Sequence, residues 1–186
     1  MDTKLIEEGF DRILRGLGVC YSQRPALIET PARAAKFIAE CLSSEGVTNT
    51  ALVKKYAKSF PVEHNDPISV RGIPVFSFCE HHIALMYDMT VDVAYVPAGY
   101  VLGLSKISRL ADAAARRLQL QERLTSDIAE LIDLAVRPQA VLVRIRGKHS
   151  CVTARGIQKD STTFTESFRG NVSKLTALKE LLECEK

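Results

Sequence analysis

The chain reads as α+β: an antiparallel sheet with helices packed on one face, preceded by an N-terminal helical arm. Three observations predict this. Apolar residues recur at helical spacing through the first third of the chain, β-branched and aromatic runs bounded by Gly and Pro begin at Ile68, and two helical stretches then separate the early strands from the late ones.

Residues 4 to 17 set Leu5, Ile6, Phe10, Ile13, Leu14 and Leu17 near helical spacing with charges between them, which predicts an amphipathic opening helix. Thr30-Pro31 reads as an N-cap followed by proline at the first helical position, so a second helix is expected from there to about Leu42. A short third helix is expected over 49 to 59, until Pro61, Asn65, Asp66 and Pro67 interrupt regular structure. Val70, Val75, Phe76, Val91, Val93, Tyr95 and Val96 then predict two long strands meeting near residues 79 to 90. Helical patterns run from Ser105 to about Leu118 and from Gln121 to Val136, closed by Pro138. Val141, Val143 and Ile145 alternate with Leu142, Arg144 and Arg146 in a third strand; Thr162 to Phe168 reads as a fourth, and a helix over roughly 172 to 184 ends the chain. The organisation expected is an arm over 1–66 and one continuous catalytic unit over 67–186.

Composition narrows the function. The five cysteines are odd in number, widely spaced and never in a Cys-x-x-Cys pair, which argues for reduced thiols rather than a disulfide scaffold. A net charge of +3 on a quarter-charged chain gives no reason to invoke nucleic acid or an anionic membrane. Acidic residues near the start and the lack of a long apolar run predict a soluble, cytoplasmic protein.

Chemistry concentrates at two places. Cys79-Glu80-His81-His82 falls in the turn between predicted strands, and Cys79 and His82 are spaced to grip one metal ion from one turn. The other close Cys/His pair is His149 and Cys151, at the end of the third strand, and Cys151 is the natural third ligand. Strand alternation sends His149 and Cys151 to the same face, so a metal on Cys151 would have His149 beside it. Three protein ligands leave one position open, the mark of a catalytic zinc and of hydrolysis. Taken alone, Cys79 also fits a buried core thiol and His82 a hydrogen-bonded core histidine. No His-Glu-x-x-His helix, phosphate-binding Gly-x-x-x-x-Gly-Lys loop or nucleobase-deaminase signature offers another enzyme class.

Cys79-Glu80-His81-His82, Gly103-Leu104-Ser105-Lys106 and Gln121-Glu122-Arg123-Leu124-Thr125 occur in the order found in type I GTP cyclohydrolases, which this chain resembles. Glu29-Thr30-Pro31-x-Arg33, Val93-Ala94-Tyr95-Val96-Pro97, His149-x-Cys151 and Ala154-Arg155-Gly156-Ile157 extend the resemblance over about residues 29 to 170. It implies a tunnelling fold assembled into a toroidal homodecamer with active sites between subunits. The implied reaction is zinc-assisted hydrolysis at C8 of GTP, loss of formate, and rearrangement to 7,8-dihydroneopterin triphosphate.

The resemblance also implies residue roles. Cys79, His82 and Cys151 hold Zn2+; His149 is the general acid and base; His81 and Ser105 act near the ribose. Glu122, beside Gln121 among the substrate contacts, accepts from guanine N1–H and its amine, a pattern adenine cannot offer. Lys106, Arg109 and Arg155 bind the triphosphate, with Arg33 reaching in from another subunit, while Arg116 and Arg117 read as a solvated face. Outside the resemblance, His149 also fits a surface histidine at a strand end, and Glu122 a carboxylate favoured by a helix N-terminus.

Three features depart from the family pattern. Segment 83–92 is one residue longer and lacks the usual hairpin glycine, so a bulge must absorb the extra residue or the side chains flip. Glu166 stands where serine is common. Ser150 and Val152 flank Cys151 where other residues are frequent.

Overall fold

A computed structural model of the chain describes residues 1–183; Cys184, the last residue of the predicted closing helix, lies outside the described residues. The chain divides into two units, Met1–Ser43 and the remainder from Ser44.

In the first unit, α1 (Thr3–Gly16) is capped by Asp2, whose carboxylate accepts from the Leu5 amide at 3.0 Å. Helix α2 (Thr30–Cys41) packs against α1. Its N-cap is Glu29, one residue earlier than expected, and Thr30 already lies in the helix with Pro31 in the first turn. No residue of α1 is buried, and the apolar Leu5 and Ile13 are exposed.

The second unit opens with α3 (Asn49–Tyr56), capped by Thr48, and β1 (Ser59–Pro61). The long strands β2 (Ile68–Cys79) and β3 (Ala84–Val96) follow, then β4 (Tyr100–Leu102) and α4 (Leu104–Ala115). After these come β5 (Leu118–Gln119), α5 (Gln121–Val136), β6 (Ala140–His149), the one-turn helix α6 (Ser150–Thr153), β7 (Thr163–Gly170) and α7 (Leu175–Glu183). The main sheet has the order β5-β2-β3-β6-β7, and β1 and β4 form a separate two-stranded ribbon. Every pairing in the main sheet is antiparallel except β2 with β5, where Phe78 and Cys79 run parallel to Leu118 and Gln119. That short parallel edge ends α4 three residues before the predicted Leu118.

Helices α4 and α5 cover one face of the sheet, burying Val91, Val93, Tyr95, Val141, Val143 and Ile145 against Ile107, Leu110, Leu124 and Ile128. Opposite, at one end, Leu178 and Leu182 of α7 pack on Ala94, Val96, Ala140 and Leu142. Residues 140–143 are therefore buried on both sides, which is why this stretch of β6 is continuously apolar. Alternation begins only where α7 ends its cover and Arg144 and Arg146 replace aliphatic residues.

Two bulges shape β2 and β3. At Gly72, in the left-handed region with φ of 68°, the amide donates to Asp92 Oδ1 at 2.6 Å. The second sits at Asp88, with φ of 49°, so segment 83–92 does carry a bulge. The tight reversal before β3 uses Ile83 at φ of 50° where a glycine would be at ease.

Candidate metal centre and the histidine beside it

Cys79 closes β2 and is buried; His82 stands exposed in the turn that follows. That turn is held to the sheet edge, because the Glu80 amide donates to Gln119 O at 3.1 Å and the Arg123 guanidinium pairs with the Glu80 carboxylate. Cys151 lies in the first turn of α6, not on the strand, so strand alternation is not what places it. The reversal into α6 does so instead. The ligand atoms of Cys79, His82 and Cys151 all lie within 4.8 Å of one another.

The donor set fits a metal ion. Bonds of about 2.0–2.3 Å to zinc set two tetrahedral ligands roughly 3.3–3.8 Å from one another, a small adjustment from this arrangement. Two thiols and an imidazole suit a borderline-soft divalent ion. Burial and the adjacent Cys79 thiol push the Cys151 thiol above its usual range, so losing its proton calls for a compensating positive charge. Arg155 Nη1 lies 2.8 Å from His82 Nε2, and since a guanidinium can only donate, this ring nitrogen accepts.

His149 ends β6, and its Nε2 lies 2.9 Å from Gln121 Oε1. The Gln121 amide cannot be turned round: its Nε2 donates to Ile145 O at 3.2 Å, Thr163 O at 3.0 Å and Thr165 Oγ1 at 3.2 Å. Oε1 must then accept from His149, which fixes the proton on Nε2 and leaves Nδ1 with its lone pair. Hydroxyls extend the order, since Thr125 Oγ1 donates to Gln121 O at 2.6 Å and therefore accepts from Thr165. Burial pushes the His149 imidazole below its usual range, while the Glu122 carboxylate acts in the opposite sense. A largely neutral ring with one free nitrogen is the outcome.

Other predicted residues take varied places. Gln121 is 1% exposed, with its side chain committed to His149 and the strands. Glu122 is exposed in the first turn of α5, and His81 is exposed with its ring edge-on to His82. Ser105 and Lys106 stand at the N-terminal end of α4, about 15 Å along the helix axis from the end that leads to β5 and Cys79, and Arg109 lies at its middle, about 9 Å from that end. Arg33 pairs with Glu29 at 2.7 Å within the first unit. Arg117 is not on a solvated face: it is mostly buried, with Nη1 donating to Asn49 Oδ1 at 2.8 Å and lying 3.3 Å from Asp127 Oδ2. Arg116 lies over the Phe76 ring at 4.1 Å. Glu80, Arg123, Thr125 and Thr165 had no predicted role. The first three sit inside the quoted motifs, which was the available signal.

The family model for GTP cyclohydrolase I matches residues 6–184. The GTP cyclohydrolase 1 of Clostridium beijerinckii is 42% identical over 182 residues, covering 92% of each chain. That of Clostridium acetobutylicum is 41% identical over 191 residues, covering 96% of this chain and 97% of the relative. A solved structure, the archaeosine synthase QueF-Like in the apo form, aligns with a TM-score of 0.43 at 23% identity, over 57% of this chain and 94% of that one. With nearly the whole length matched by the family model and by full-length relatives, the chain belongs to the GTP cyclohydrolase I family.

Proposed function

We propose that this chain opens the imidazole ring of GTP, releases C8 as formate and closes the remainder to 7,8-dihydroneopterin triphosphate, using the Cys79, His82 and Cys151 group and His149. The observation that carries it is the meeting of those three ligand atoms within 4.8 Å at the strand end where His149 is held in one tautomer. Zinc is the ion proposed. When bound, it supplies Lewis acidity and makes water acidic enough to ionise near neutral pH.

The protein's own groups do the rest. His149 Nδ1 takes up and returns protons at the ring nitrogens, while Nε2–H stays on Gln121. Glu122, exposed beside Gln121, accepts from guanine N1–H and the exocyclic amine. His81 and Ser105 serve the ribose, and Lys106, Arg109, Arg155 and Arg33 the triphosphate. Ser105 and Lys106 sit at the other end of α4 from the one that leads to β5 and Cys79. This supports a homo-oligomer, a decamer by family expectation, with each site shared between cytoplasmic subunits.

The test is formate and oxidised-pterin fluorescence from purified protein with GTP, comparing wild type, Cys151→Ala and metal-stripped protein. Both products together, lost in both controls and restored to stripped protein by zinc, are expected. Formate alone would indicate an arrested ring-opening enzyme, and neither product from zinc-loaded protein would overturn the reading.

A further inference from the structure

The bulge in β3 places one extra residue against both neighbouring strands at the same point. Toward β2, Ser77 faces Met86 and Val75 faces Met89, so Phe76 alone is opposite Tyr87 and Asp88. Toward β6, Lys148 faces Tyr87 and Arg146 faces Thr90, so Gly147 alone is opposite Asp88 and Met89. Gly147 makes room for this, because a Cβ there would stand 2.7 Å from Met89 Cγ.

A bulge reverses which face each later side chain takes. Counting back from Tyr95 through Val93, Val91 and Met89, strict alternation would bury Tyr87. Instead Met86 enters the core, fully buried, and Tyr87 is turned to the other side. There the Tyr87 hydroxyl donates to Thr153 Oγ1 at 3.1 Å, and the Leu85 carbonyl accepts from Ser150 Oγ at 2.8 Å. Ser150 and Thr153 are the first and last residues of α6, the turn that carries Cys151. Both ends of that turn are thus pinned to the stretch of β3 that the bulge re-aims.

We infer that the Asp88 bulge is a positioning device for the metal group: through Tyr87 and Ser150 it holds the Cys151 thiol at the distance from Cys79 and His82 that one ion needs. Tyr87 and Ser150 are positioning residues and touch neither ion nor substrate. This rests on the reading of the three residues as metal ligands, and the test separates the two.

Zinc(II) affinity is measured by competition with a chromophoric chelator on the full-length chain, with thermal unfolding of the metal-free proteins alongside. Tyr87→Phe and Ser150→Ala are each expected to weaken zinc binding about ten-fold, in the range seen when groups supporting metal ligands are removed. Asp88→Gly, which suits the left-handed backbone, should retain wild-type affinity, and Asp88→Val, which does not, should lose about as much as Tyr87→Phe. Thr90→Val removes the Arg146 contact on the far side of the bulge and should leave affinity unchanged. Wild-type affinity in Tyr87→Phe, Ser150→Ala and Asp88→Val, with Cys79→Ala unable to bind, would overturn the positioning role while keeping the metal reading. Wild-type protein that binds no zinc(II), or Cys79→Ala that binds it undiminished, would overturn both.

Discussion

At the scale of single residues, the proton on His149 is decided by atoms that are not acids or bases. Three acceptors, Ile145 O, Thr163 O and Thr165 Oγ1, surround the Gln121 amide nitrogen, so its oxygen alone faces the imidazole. Gln121→Leu removes this acceptor and frees the tautomer. We expect kcat to fall roughly 10- to 100-fold with little change in KM, as for a misplaced general acid and base. The same change leaves buried acceptors unmatched and should cost about 1–3 kcal/mol of stability. The imidazole nitrogen shifts of His149 separate the two effects: they report a mixed tautomer in the variant if Gln121 sets the proton, and an unchanged one if Gln121 only supports the fold.

At the scale of elements, Glu166 explains itself through register. It faces Arg144 directly across β6 and β7 at 2.7 Å and also takes Lys179 of α7 at 3.0 Å, so one carboxylate joins two strands and a helix. Burial raises its pKa, but Arg144 and Lys179 outweigh this and the net shift is downward. A depressed carboxylate stabilises the fold above its unfolded value and loses that contribution as pH falls through the folded one. Glu166→Gln should therefore lower stability by about 0.5–1 kcal/mol at pH 7, discounted for exposure, and the difference from wild type should begin to shrink as pH falls through the ordinary carboxylate value of about 4.3 and vanish only in stronger acid, below the depressed folded value. Chemical unfolding at both pH values checks this, and a gap that persists in acid would remove the charge argument. The same scale shows what was legible. Long periodic elements and the Cys79 turn follow from local pattern, because period and turn chemistry are written in adjacent residues. The β1–β4 ribbon, the two-residue β5, the turn of helix at Cys151 and the burial of Arg117 do not, because each is decided by a tertiary neighbour such as Phe78, Leu102 or Asp127.

For the whole molecule, the distribution of predicted substrate groups is itself a constraint. The thiols, His82, His149 and Glu122 gather where β2, α5 and β6 meet, while Ser105 and Lys106 begin α4 about 15 Å along its axis from that end. On the proposed reading, a triphosphate nucleotide bound at the metal group would meet Ser105 and Lys106 of another copy, an arrangement that a closed ring of identical chains would provide. Two inactive variants can test this, one lacking a group from each set. Cys151→Ala and Lys106→Ala should each show little activity alone. Dissociated, mixed in equal amounts and reassembled, they should regain roughly a quarter of wild-type activity, because random assembly places both intact halves together at that fraction of sites. Were each chain to hold its whole site, no mixture could exceed the residual activity of its parts, and sizing of the mixed sample confirms that subunits exchanged.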